Sequence, residues 1–87
     1  MTTYIQKKAR NLIAPIPEHG AAVTPHDTND LSLDCVLYIG GAGNVKILTA
    51  NNETLTFVGL SAGDILPVKV RRVYSTDTTA TNIVALW

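Results

Sequence analysis

Seven Lys and Arg against seven Asp and Glu leave this 87-residue chain with no net charge, which gives no electrostatic footprint for nucleic acid or an anionic membrane surface. A single domain of this size buries only about 60–65% of its unfolded surface, so disulfides, a structural metal or oligomerisation usually supply the missing stability. One cysteine, Cys35, excludes an internal disulfide, and His19 and His26 lack the Cys-pair or His-x3-His spacing of a zinc site, which leaves oligomerisation.

Taken in chain order, residues 1–20 read as an extended arm. Tyr4, Ile5, Leu12 and Ile13 allow a short helical turn, but Pro15 and Pro17 end it. Met1 to Ala14 lacks the apolar core of a secretory signal. No apolar run approaches the roughly 18 residues of a membrane helix, so the expectation is a soluble protein made in the cytoplasm. Lys7, Lys8 and Arg10 make the arm basic, and Glu18, Asp27, Asp30 and Asp34 make the next stretch acidic. That polarity suits head-to-tail packing of subunits, or is simply a solvated arm and a solvated loop.

A single β domain is expected over residues 21–87. A short strand around Ala21 to Thr24 precedes a polar loop from Pro25 to Ser32. Cys35 to Ile39 is an apolar run of buried-strand length, followed by the turn cluster Gly40-Gly41-Ala42-Gly43-Asn44. Val45 to Thr49 is the next strand, Asn51-Asn52 a two-residue hairpin loop, and Thr54 to Leu60 the return. In the strand from Leu66 to Ser75 the apolar set Leu66, Val68, Val70 resumes at Val73, a slip of one residue that a β-bulge near Arg71 and Arg72 would absorb. The two arginines are then displayed at a kink, either as an inter-subunit or partner contact or as a solvated pair. Ile83-Val84-Ala85-Leu86-Trp87 has no polar residue on either face, so both faces are expected to be covered by this chain or a neighbour. Short strands at about ten-residue spacing give an all-β fold, a small antiparallel sandwich or barrel.

Nothing in the pattern reads as catalysis. Gly40-Gly41-Ala42-Gly43 lacks a Gly-Lys-Ser/Thr ending and joins two strands, whereas a phosphate loop leads into a helix. Cys35 sits in an apolar run and reads as a core residue, with an inter-chain disulfide as its second role. His26 beside Asp27 resembles a base and its orienter, but a loop of His, Asp, Thr and Asn is the composition of self-capped turns. The carboxylates all fall in turns or polar loops, and Tyr4, Tyr38, Phe57, Tyr74 and Trp87 are too sparse to stack single-stranded nucleic acid. The expectation is a protein that is not an enzyme and uses no cofactor and no metal.

Three segments resemble one known family: Tyr38-Ile39-Gly40-Gly41-Ala42-Gly43-Asn44-Val45, Ala62-Gly63-Asp64-Ile65-Leu66-Pro67-Val68-Lys69-Val70-Arg71-Arg72-Val73, and Thr78-Thr79-Ala80-Thr81-Asn82-Ile83-Val84-Ala85-Leu86-Trp87. They are similar, in the same order, to the head spike base proteins of tailed phages and gene transfer agents, and the resemblance spans Ala21 to Trp87. It implies a virion structural protein on the capsid surface, a pentamer at a five-fold vertex that mounts a head fibre or spike. The implied partners are the major capsid protein, the fibre protein and other copies of the chain, with no nucleic acid and no membrane. On this reading Lys7, Lys8 and Arg10 are the candidate capsid contact, and Arg71, Arg72 and Trp87 the candidate subunit or fibre interface. Two other readings share these features: a cement or decoration protein bound across capsomers, and a carbohydrate-binding adsorption module using Trp87 or Tyr74.

Overall fold

The computed structural model describes residues 16–87, which form six strands and no helix. The strands are β1 (Gly20–Ala22), β2 (Cys35–Gly41), β3 (Gly43–Thr49), β4 (Thr54–Leu60), β5 (Ile65–Val73) and β6 (Thr81–Leu86). All pair antiparallel in one sheet, in the order β1-β6-β2-β5-β3-β4. The expected helical turn between Tyr4 and Ile13, like most of the arm, lies outside the described residues.

Alternation writes the core directly. Cys35, Leu37 and Ile39 of β2, Val45 and Ile47 of β3, Leu66, Val70 and Val73 of β5, and Ile83 and Ala85 of β6 all point inward and are buried. Each fully buried Leu, Ile or Val contributes about 1.5–3 kcal/mol of transfer free energy. A single sheet without a second layer buries such a face only by curling on itself, and the hydrogen bonds trace the curl. β2 is flanked by β5 and β6, and β3 pairs with β5. The remaining gap, between β3 and β6, is spanned by the chain entering β6. Thr79 N and Ala80 N donate to Asn44 O at 2.8 and 3.1 Å. Asn44 N donates to Thr79 Oγ1 at 2.9 Å, and Lys46 N to Thr78 Oγ1 at 3.0 Å. The residues after β1 cover the opposite end, with Val23 N bonded to Ile83 O, His26 N to Val73 O and Leu31 N to Arg71 O. Of the two layouts open from the sequence, the molecule adopts the barrel-like one.

The bulge sits where the phase slip put it. Leu48 pairs with Arg72 and the next residue, Thr49, with Val70, which leaves Arg71 without a partner on β3. Three local readings need correction. β1 is Gly20–Ala22, one residue earlier than the strand expected from Ala21, and Glu18 N and His19 N both donate to Trp87 O at 2.7 Å. The β3–β4 connection is Ala50 to Glu53, twice the two residues expected. Thr49, a polar residue buried at the core's edge, holds it open: its hydroxyl accepts from Asn51 N at 3.3 Å and Glu53 N at 3.0 Å, and Asn52 takes φ 64°. The third concerns Gly40-Gly41-Ala42-Gly43, which is strand except at Ala42, and β2 and β3 are not hydrogen-bonded neighbours. The chain turns a corner there, and Gly40 is needed because a Cβ would come within 2.5 Å of Asn82 O on β6.

Candidate partner-contact surfaces

The bulge, the loop between β1 and β2, and the β3–β4 connection converge on the two arginines. The bulge turns Arg71 out of the ladder, and its guanidinium donates to Asn52 Oδ1 at 2.6 Å and Ala50 O at 3.1 Å, with Asp34 4.0 Å away. Arg72 turns the other way: its Nε donates to Asp30 Oδ1 at 2.7 Å, and its guanidinium lies 5.4 Å from the Tyr74 ring centre. The hydrogen bond to Asp30 pushes the Arg72 pKa further up. Asp27 completes the cluster by accepting from Thr76 N at 2.9 Å and Thr76 Oγ1 at 2.7 Å, bonds that lower its pKa to about 2. His26 stands apart from that carboxylate. Its Nδ1 faces Thr28 N and Asn29 N at 3.1 and 3.3 Å, the self-capped turn expected of this loop.

Trp87 extends the last strand by one residue. Its N–H donates to His19 O at 3.0 Å, and its ring stacks on His19 with centroids 5.7 Å apart and planes 24° from parallel. The residue as a whole remains 37% exposed. The cover expected on both faces of this strand is therefore unequal: Ile83 and Ala85 are in the core, whereas Val84 and Leu86 are half-buried. Trp87, Leu86, Ile16, Pro17, Val36 and Lys69 rim an apolar groove of about 420 Å³. Cys35 lies under it, 3% exposed, and burial is the main cause that raises its pKa, followed by the neighbouring Asp34.

The candidate site residues thus fall in separate places. Arg71 and Arg72 bind loops of their own chain, Trp87 lies at the far end of β6, and Lys7, Lys8 and Arg10 are outside the described residues. Sequence reasoning missed four exposed apolar side chains on the strands, Tyr38, Leu55, Val58 and Ile65. For Tyr38 the signal is present in Cys35 to Ile39, an uninterrupted apolar run in which every second residue must face away from the core. Among the described residues no three His, Cys, Asp or Glu side chains are grouped to hold a metal ion.

No protein-family model and no curated protein sequence matches the chain. Among solved structures, it is similar to a chain in the capsid of a native gene transfer agent particle computed with C5 symmetry. The two are 31% identical with a TM-score of 0.76, and the match covers 100% of both chains. Likeness of sequence and fold over the entire length of both is what shared descent produces, and the chain belongs to the same family of gene transfer agent and phage virion structural proteins as that capsid component.

Proposed function

We propose that the chain is the base of a head spike: a pentameric ring seated on a capsid vertex that mounts a fibre. The observation that carries this reading is the end-to-end match to a component of a capsid solved with C5 symmetry, the symmetry of a vertex. The described surface agrees with an assembly part. It has exposed apolar strand residues, Tyr38, Leu55, Val58 and Ile65. In this reading Lys7, Lys8 and Arg10 contact the major capsid protein, Arg71, Arg72 and Trp87 serve the subunit or fibre interface, and catalysis has no part. The protein is made in the host cytoplasm and ends on the outer capsid surface.

Cryo-electron microscopy of particles made with and without this chain tests the proposal. Five copies per vertex, together with loss of the fibre in particles lacking the chain, are the expected result. Density at three-fold positions would replace the spike base by the cement-protein reading. Glycan binding that quenches Trp87 fluorescence would favour the adsorption module instead.

A further inference from the structure

The sheet carries two apolar surfaces that do not overlap. The first lies on its outer face, where polar residues normally alternate with the inward set. The ladder registers Ala22 against Val84, Val84 against Tyr38, and Tyr38 against Ile65, an uncharged row across β1, β6, β2 and β5. Beside it Leu86 faces Val36. Tyr38 is 38% exposed and Ile65 56% exposed. Three inter-strand spacings of about 4.8 Å and two rows about 7 Å apart make a patch of roughly 300 Å² once side chains are included. That is the apolar centre of an interface needing about 800 Å² per partner.

The second surface is β4, at the other end of the sheet order. Among the described residues its outer edge has no strand partner. It also lacks the usual protections of an edge strand: Thr54–Leu60 contains no charge and no proline. Leu55 on one side is 42% exposed and Val58 on the other 75%. Seven residues at about 3.4 Å each give β4 a length of roughly 24 Å, enough to cross the outer-face row, which is about 14 Å broad from β1 to β5.

From these two surfaces we infer that β4 of one copy docks on the Tyr38–Ile65–Val84 face of the next, so that a head-to-tail contact builds the homo-oligomer. Pairing face against face leaves β4 uncovered, and pairing β4 against β4 leaves the face uncovered. The unlike pairing covers both with one repeated contact and desolvates no charge within either apolar set. An unlike contact is heterologous and closes into a ring when its rotation divides a full turn. The inference rests on the homo-oligomer of the proposed function and supplies its joint.

The test uses Ile65→Lys and Val58→Lys, each of which places a charge on one surface and is exposed enough to leave the fold intact. Thermal unfolding by circular dichroism checks that, and Tyr38→Glu and Leu55→Glu repeat the experiment at a second position on each surface. Mass photometry and analytical ultracentrifugation are expected to show closed oligomers for the natural chain. Each variant alone should be monomeric, its self-association weakened at least about a hundredfold as for a charge placed in an interface hot spot. An equimolar mixture of the two should form dimers and stop there, because one intact face and one intact β4 remain in each pair. Oligomers that persist in either variant, or a mixture that gains no dimer, would overturn the head-to-tail contact while leaving the homo-oligomer standing. A dimer abolished by Ile65→Lys and indifferent to Val58→Lys would overturn it in favour of face-to-face pairing. A natural chain that stays monomeric at high concentration sinks both readings.

Discussion

Replacing Gly43 by alanine attacks the closure of the barrel at one atom. An added Cβ would lie 2.5 Å from Ala80 N and 2.8 Å from both Ala80 Cα and Thr79 C. These are backbone atoms of the segment that seals β3 to β6, so no side chain can swing aside. Forcing a methyl into such a contact costs about 1–3 kcal/mol. The segment yields by moving off β3, which breaks the bonds of Thr79 N and Ala80 N to Asn44 O and of Asn44 N to Thr79 Oγ1. At about 1 kcal/mol each, partial loss of the three brings the total to about 3–5 kcal/mol. For a domain of this size each kcal/mol lowers the melting temperature by about 4–8 °C, so a fall of more than about 12 °C is expected. Gly59→Ala is the control: nothing lies within 4 Å of its Cβ, and only the φ of 75° opposes the substitution, a cost of about 1–2 kcal/mol. Thermal unfolding gives the totals, and amide exchange at Thr79 and Ala80 locates the damage. If Gly43→Ala melted within a few degrees of Gly59→Ala with both amides still protected, sealing by the Thr78–Ala80 segment would be refuted.

Deleting Leu86 and Trp87 removes a tryptophan that is stacked but 37% exposed, a half-buried leucine and the bonds that tie Glu18 and His19 to the end of β6. The expected loss is about 2–4 kcal/mol in a denaturant titration, below the 3–5 kcal/mol of a fully packed tryptophan, and an unchanged midpoint would contradict the tie. Asp27, with its pKa lowered from 3.8 to about 2, contributes stability that is present above pH 4 and is lost as pH falls through 2. Asp27→Asn should therefore melt lower than the natural chain at neutral pH, with the gap narrowing between pH 4 and pH 2; a constant gap would count against the Thr76 bonds as its cause. Arg71→Ala with Arg72→Ala should keep the sheet, lower the melting temperature by only a few degrees, and speed amide exchange in the Asp27–Asp30 and Ala50–Asn52 loops that the guanidiniums hold. Unchanged exchange there would separate the arginines from those loops.

What the sequence made legible follows the range of the interaction that encodes it. The bulge at Arg71 is legible because the spacing from Val70 to Val73 states it locally, and the inward face of β5 because Leu66, Val68 and Val70 alternate, whereas β2 and β6 are apolar on both faces and do not say in sequence which one is the core. The Asn51-Asn52 pair marks the place of the β3–β4 connection but not its width, which a buried hydroxyl at Thr49 sets and no turn pattern announces. The Gly40–Gly43 cluster has the composition of a turn, whereas its first glycine serves close approach to Asn82, a contact 42 positions away in sequence. The same distance hid the partners of Arg72 and the row from Ala22 to Ile65, because neither exists until β6 is known to lie between β1 and β2.

That position of β6 also fixes an order of events. β1 and β2 have no ladder with each other, and each gains its partner on this side only when Thr81–Leu86 inserts between them. Pairings so distant in sequence form slowly, and both strands wait with open edges until they do. The outer-face row comes into being at the same step, because Val84 supplies its middle. A chain that has not yet folded thus has no finished outer-face row, and completion of the barrel must precede any contact made through it.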